Sequence, residues 1–307
     1  MKYKNCIESK TLIGREDLFV LFSCQLKYIN RMKIQMKKWK LLLGTALVSA
    51  ALLGCAKTNQ PSSPEEAKNG QTVTIGYTQF PTNIDPADEY NGWFTVRYGV
   101  GETLFKMDDQ LEPQPWLAEK IEHPSQLEWK ITLRNDVTFQ NGEKMTGAKV
   151  EASLKRLIEK SKRAADDLGI ESIQSDGQTV TIKTKLEQPI MKNLLAEPYS
   201  VIVDVDGKAA SDKSPVGTGP FLIKTYTPET GATLEAYENY WGGKAKVAQV
   251  QIKYFSDPTA ISAALQSNEV DAVYGLPYAN LTTFKKDSKY KISEKEGGRY
   301  LSYVYNF

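Results

Sequence analysis

Three cysteines and one histidine in 307 residues leave little for thiol, disulfide or imidazole chemistry. Cys6, Cys24 and Cys55 are confined to the first 55 residues, so the chain from Ala56 onward has no disulfide and depends on a hydrophobic core. It is long enough to bury one, in about one or two domains. Nucleophilic catalysis needs a base beside the nucleophile. The sole imidazole, His123, is followed by Pro124 in what reads as a polar loop, and no Gly-x-Ser-x-Gly occurs. Asp108-Asp109 and Asp166-Asp167 are adjacent pairs, which do not converge as a carboxylate dyad and read as solvated loop or helix ends. Gly217-Thr218-Gly219 lacks the third glycine of a dinucleotide loop and runs into Pro220, so it reads as a structural turn. One histidine and no cysteine after position 55 argue against a metal site built from protein ligands. The chain is therefore expected to be no enzyme and to carry no cofactor.

Basic charge is also scarce where it would matter. The first 55 residues hold ten Lys/Arg against three Asp/Glu, so the remainder of a chain with net charge +2 stands at −5. A nucleic-acid binder should show a basic face, and this reading excludes one.

No apolar run is as long as a membrane span would need. The stretch Leu41 to Leu53 counts 13 residues, against ~20 for a spanning helix. It follows Met36-Lys37-Lys38-Trp39-Lys40 and ends at Leu52-Leu53-Gly54-Cys55. A basic start, a short apolar core and a small-residue end form a signal peptide. The last four residues resemble the lipobox of bacterial lipoproteins, which implies that Cys55 is lipidated and becomes the new N-terminus. The expected location is the extracytoplasmic face of a cell membrane, as on a Gram-positive surface. One acyl chain anchors only marginally, so a stable tether implies more than one. Residues 1–35 read as an upstream extension, 36–54 as the signal and 55–70 as a polar, flexible linker.

Order begins near Gln71. Thr72 to Tyr77 is a β-rich run, and Pro81 and Asp85-Pro86 turn the chain. Apolar residues at helical spacing (Trp93, Val96, Val100, Leu104) predict a helix from Trp93 to about Phe105. Strict alternation over Leu127 to Leu133 predicts a half-buried strand, Gln140-Asn141-Gly142 a turn, and Thr146 the cap of a helix running to Ile158. Further strands are expected at Val180–Lys183, Thr218–Tyr226, Thr233–Tyr237, Val250–Phe255 and Val270–Tyr274. Helices are expected at Pro189–Ala196 and Pro258–Asn268. The mixture makes an α/β protein. The run Leu301 to Phe307 has strand character and no polar tail, which suggests a truncated chain.

Four segments carry a resemblance. They are Asn83-Ile84-Asp85-Pro86 with Gly101-Glu102-Thr103-Leu104, then Pro115 to Glu119, then Trp129 to Gly142 (WKITLRNDVTFQNG), and finally Pro215 to Phe221 with Asn239-Tyr240-Trp241-Gly242. In this order they resemble the extracytoplasmic solute-binding proteins of ABC importers, in the branch of oligopeptide-, dipeptide- and nickel-binding proteins. The likeness covers about residues 71–307. It implies the larger periplasmic-binding-protein-like fold. The first lobe would take 71–89 and 198–297, an inserted subdomain 90–197, and the start of a second lobe 298–307, with most of that lobe lying beyond. It also implies a monomer that performs no chemistry, binds a peptide or other small solute, and delivers it to a membrane permease. A nickel- or metallophore-binding member and a surface lipoprotein for signalling or adhesion are the alternatives.

Binding candidates are residues near strand ends, where open sheets take their ligands. Thr78, Gln79 and Phe80 follow the first strand, and the resemblance places them on the cleft border, offering backbone groups to a peptide. Trp93 and Phe94 open the next helix. Phe94 falls where nickel-binding relatives place a pocket side chain, with core packing the competing reading. Arg97 could hold a ligand carboxylate, or simply face water. Glu197 and Tyr199 sit at the crossing back to the first lobe, and Tyr274 and Gly275 end a late strand. Nickel-binding relatives carry an arginine near Tyr199. None stands there in this sequence, which favours peptide over nickel.

Overall fold

A computed structural model describes residues 71–88, 90–206 and 214–294. The signal, Cys55, the linker and the strand expected at 301–307 lie outside the described residues. The architecture is mixed α/β, as expected. A five-stranded sheet has the order β11-β1-β10-β9-β8. In it, β1 (Thr72–Tyr77) lies parallel to β10 (Gln249–Tyr254) and to β11 (Ala272–Tyr274). The hairpin of β8 (Phe221–Thr227) and β9 (Gly231–Ala236) adds on antiparallel. The register sets Tyr77 opposite both Tyr254 and Tyr274, so three tyrosines stand side by side at the C-terminal ends of the parallel strands. Asp257 caps α5 (Pro258–Gln266), accepting from the Thr259 amide at 2.8 Å, with Pro258 at its first position. The last described helix is α6 (Tyr278–Lys285).

A second sheet, antiparallel throughout, has the order β4-β5-β7-β6: β4 (Ala118–Ser125), β5 (Glu128–Leu133), β6 (Ile170–Asp176) and β7 (Thr179–Thr184). Its inner face buries Trp129, Ile131, Leu133, Val180 and Ile182. Val150, Leu154 and Leu157 of α2 (Gly147–Lys160) join them in one core, at spacings of four and three residues that keep them on one helix face. Thr146 caps α2 as expected, accepting from the Lys149 amide at 3.4 Å. Ser161 ends α2 and caps α3 (Lys162–Leu168), which stops at Gly169 in left-handed backbone, φ 57°. The remaining pieces are α1 (Gly92–Arg97), α4 (Met191–Leu194), a 3-10 turn at Pro198–Ser200, and the ribbon of β2 (Phe105–Met107) and β3 (Pro113–Pro115).

Two expectations are corrected. The helix drawn from Trp93 to Phe105 stops at Arg97, because Gly99 turns into left-handed backbone (φ 68°) and Phe105 begins β2. His123 is not in a polar loop. It lies on β4, stacked on Trp129 with ring centroids 3.7 Å apart and planes 5° apart. β4 is an edge strand, exposed along most of its length, so no alternation marks it in sequence. The ladder irregularity between Glu122 and Ser125 accommodates Pro124.

The motifs that carried the resemblance turn out to be joints. Gln140 accepts from the Gly217 amide at 3.2 Å and gives its own amide to Gly217 O at 2.9 Å. Its Nε2 points at the carbonyls of Val100 (2.9 Å), Gly219 (3.1 Å) and Phe221 (2.6 Å). A Cβ on Gly217 would stand 2.1 Å from Val100 O, and one on Gly219 2.2 Å from Gly99 O. That backbone-on-backbone approach is the reason for glycine here, and it supports reading the segment as a structural turn.

Buried Glu102 accepts from Tyr240 Oη at 2.6 Å on one oxygen, and from Thr218 Oγ1 and Trp241 Nε1, both at 2.8 Å, on the other. Buried Asp85 holds Arg156 through both oxygens, at 3.0 and 2.5 Å, and Lys160 at 2.7 Å, fixing α2 to the segment after β1. The adjacent acid pairs have local roles. Asp108 accepts the amides of Gln110 and Glu112, while Asp166 and Asp167 pair one turn back with Lys162 and Arg163.

Candidate ligand-binding site

Gly92 begins the site. A Cβ there would come 2.1 Å from Pro198 O, so the glycine lets the start of α1 lie directly against the 3-10 turn. That contact sets Trp93 beside Tyr199. Asn83 orients the turn before α1, accepting from Asn91 Nδ2 at 2.9 Å and donating to Asp88 at 2.6 Å. Thr95 Oγ1 donates within reach of the Ile84 and Asn91 carbonyls, at 3.0 and 3.1 Å.

Near the start of α1, Arg163 of α3 reaches over three rings. Its Cζ lies 5.4 Å from the centroid of Tyr90, 5.6 Å from Trp93 and 5.4 Å from Tyr199. Tyr90 is 64% exposed and Tyr199 is buried, so the group forms a shelf open on one side. Asp167 is 3.4 Å from Arg163 Nε. Burial pushes the Tyr199 phenol up, Asp167 and Glu197 push it further, and Arg163 opposes them, so Tyr199 stays neutral. A guanidinium set among aromatic rings, its side chain 45% exposed, suits a carboxylate.

One turn further along α1, Arg97 lies over the Tyr274 ring at 4.6 Å and the Phe94 ring at 5.7 Å. Beside them, Thr78 Oγ1 faces Gly275 O at a long 3.5 Å. Gly275 adopts φ 80°, and a Cβ there would meet Thr78 Oγ1 at 2.7 Å.

Residues 112–307 match bacterial extracellular solute-binding proteins, family 5, in the middle region of that family. The chain belongs to this family. Family 5 members similar to it include the nickel-binding protein NikA of Staphylococcus aureus, 33% identical over 238 residues, which are 78% of this chain and 48% of that protein. The solved structure of S. aureus NikA in complex with Ni(L-His)2 superposes with TM-score 0.68 at 30% identity, covering 71% of this chain and 46% of that one. The peptide-complexed DppA of Helicobacter pylori, at 20% identity and TM-score 0.63, shares the fold. The chain spans about half the length of the relatives it matches.

Within this family 5 chain the structure sorts the residues singled out from sequence into two groups and a remainder. Thr78, Arg97, Phe94, Tyr274 and Gly275 come together at the ends of β1 and β11. Trp93 and Tyr199 meet on the shelf. Glu197 is near enough to raise the Tyr199 phenol, and Gln79 is exposed beyond β1. Phe80 joins neither group. It stacks on Tyr226 at 5.2 Å and lies 6.0 Å from Tyr254, and, like Phe94 and Tyr274, it packs against the core of the first sheet.

Sequence reading missed Arg163 and Tyr90. It read the lack of an arginine next to Tyr199 in the sequence as favouring peptide; in space Arg163, 36 positions away, lies over the Tyr199 ring. A signal existed in Ser161-Lys162-Arg163. A serine cap starting a fresh helix at a sharp break aims the next residues away from the preceding helix axis.

Proposed function

We propose that this chain supplies one wall of the binding cleft of an ABC-importer solute-binding protein, for a small carboxylate-bearing solute, with a nickel–amino acid chelate ranked ahead of a peptide. The observation that carries it is Arg163 over Tyr90, Trp93 and Tyr199. Rings exclude water from one side of the guanidinium, and its free edge offers two parallel N–H donors to a carboxylate. The likeness to NikA supports the chelate. The tyrosine row at the ends of β1, β10 and β11, with Gln79 exposed next to it, favours the second reading, an extended peptide laid along that edge. Closure would bring a second lobe onto the solute, as a hinge motion, and delivery to a permease would follow. A lipid anchor at Cys55 belongs to the same proposal, supported by the lipobox-like Leu52-Leu53-Gly54-Cys55.

Calorimetry on the full chain with nickel plus L-histidine, and separately with short peptides, tests the ranking. Arg163→Gln is expected to weaken chelate binding about tenfold to a hundredfold, the worth of a charge-assisted hydrogen bond pair. Peptide binding with no response to nickel–histidine would reverse the order, and an unchanged affinity in Arg163→Gln would remove the shelf from the site. For the anchor, cells fed a labelled fatty acid should mark the wild type and not Cys55→Ala. Equal label in both would dismiss it.

A further inference from the structure

Four arginines lie among the described residues, and three of them hold carboxylates: Arg134 with Asp136, Arg156 with Asp85, Arg163 with Asp167. Arg97 is the exception. Its recorded neighbours are rings, those of Tyr274 and Phe94, with the Tyr77 and Tyr98 phenols close enough to feel its charge. A half-buried guanidinium loses hydration and regains little of it from ring faces, so one with no carboxylate among the described residues favours an anion. The surroundings supply further donors. Thr78 Oγ1 makes only a 3.5 Å contact with Gly275 O. Tyr98 Oη is buried in the same aromatic cluster without a hydrogen-bond partner. The place is the C-terminal end of two parallel strands, β1 and β11, where an open sheet receives a ligand.

We propose that Arg97, walled by Tyr274 and Phe94 and flanked by Thr78, is a second carboxylate-binding point, distinct from Arg163. Trp93 and Arg97 are one helical turn apart on α1, about 6 Å, and Trp93 touches Arg163. Trp93 and Arg97 thus share a face of α1, and the two guanidinium groups address one small solute from neighbouring points along it. This deepens the proposed function and rests on it for the identity of the solute. The preferred class is a solute with two carboxylates, such as a metal ion held by two amino acids. A peptide, with one terminal carboxylate and an ammonium, would leave one arginine unused.

The test is phenylglyoxal modification of the full chain, mapped by mass spectrometry, with and without succinate, alongside calorimetry. Arg97 is expected to react several-fold faster than Arg134 and Arg156, and succinate to slow it at least fivefold. Arg97→Gln should weaken binding of nickel–L-histidine about tenfold and leave nickel–histamine, which has no carboxylate, unchanged. An Arg97 that resists the reagent from the outset is held by a carboxylate of the protein, and the proposal fails. It also fails if succinate and nickel–histidine leave the reaction rate unchanged. If succinate protects Arg97 while neither nickel–histidine nor peptides bind, the anion site stands and the proposed function falls.

Discussion

Glu102→Ala should lower the unfolding free energy by about 3–5 kcal/mol, whereas Glu102→Gln should stay within about 1 kcal/mol of wild type at pH 6. The difference lies in the partners. Alanine strands the buried donors of Thr218, Tyr240 and Trp241, and each unpaired one costs about 1–3 kcal/mol. A glutamine carbonyl can accept from Thr218 and Trp241, which share one carboxylate oxygen, while its amide donates to Tyr240 Oη. Burial without an ion pair pushes the Glu102 carboxyl up to about 7, against the pull of these hydrogen bonds and of more distant Lys106. Folding therefore favours the protonated form. The stabilisation is complete below the usual value of 4.5 and is lost as pH rises through about 7. Over that window the loss is about 3 kcal/mol. Urea melts from pH 4 to 8 should show this decline in wild type and not in Glu102→Gln. A flat wild-type profile would mean that Glu102 ionises without cost.

Asp85→Ala should be as damaging, at about 3–5 kcal/mol, because it leaves the Arg156 guanidinium, 17% exposed, without its carboxylate. The pH dependence has the opposite sign. Burial alone would raise the Asp85 carboxyl, but Arg156, Lys160 and the Ala87 amide together hold it below its ordinary 3.8. Its contribution is present above that value and lost as pH falls through the depressed one. With Glu102, these two groups place the stability maximum between about pH 4 and 5. Asp85→Asn should shrink the acid limb of the profile, leaving the smaller share of Asp204 beside Lys149, and keep the limb above pH 4.5 in place. Retention of the whole acid limb in Asp85→Asn would show that other carboxylates cause it.

Both residues lie in segments that carried the family resemblance, and neither touches the proposed cleft groups in the recorded contacts. Those segments were legible because they join distant parts of the chain through fixed local chemistry. A glycine is needed where carbonyls approach within 2.2 Å of a would-be Cβ, and a carboxylate where three donors converge. In the proposed ligand wall Gly92 is held in this way, but Arg163 and Tyr90 are not, which is why the wall was only partly legible.

By itself, the sequence determined the elements whose signals are local. The alternation over β5, the Thr146 cap of α2, the Pro258 start of α5 and the two strands β8 and β9 all appear close to where they were expected. In each, a residue's neighbours within four positions set its conformation. It also determined the family, through motifs of fixed spacing. Tertiary structure alone decided which aromatics pack beside an arginine. Phe80 and Tyr274 both follow or end strands, yet Phe80 packs on Tyr226 while Tyr274 lies under Arg97. It alone brought Tyr90, Trp93, Arg163 and Tyr199 together from three stretches of chain, because that depends on how closely α1 can approach the 3-10 turn and on where the break at Ser161 aims α3. Packing between elements has no sequence period, so convergence of this kind is visible only once the elements are placed.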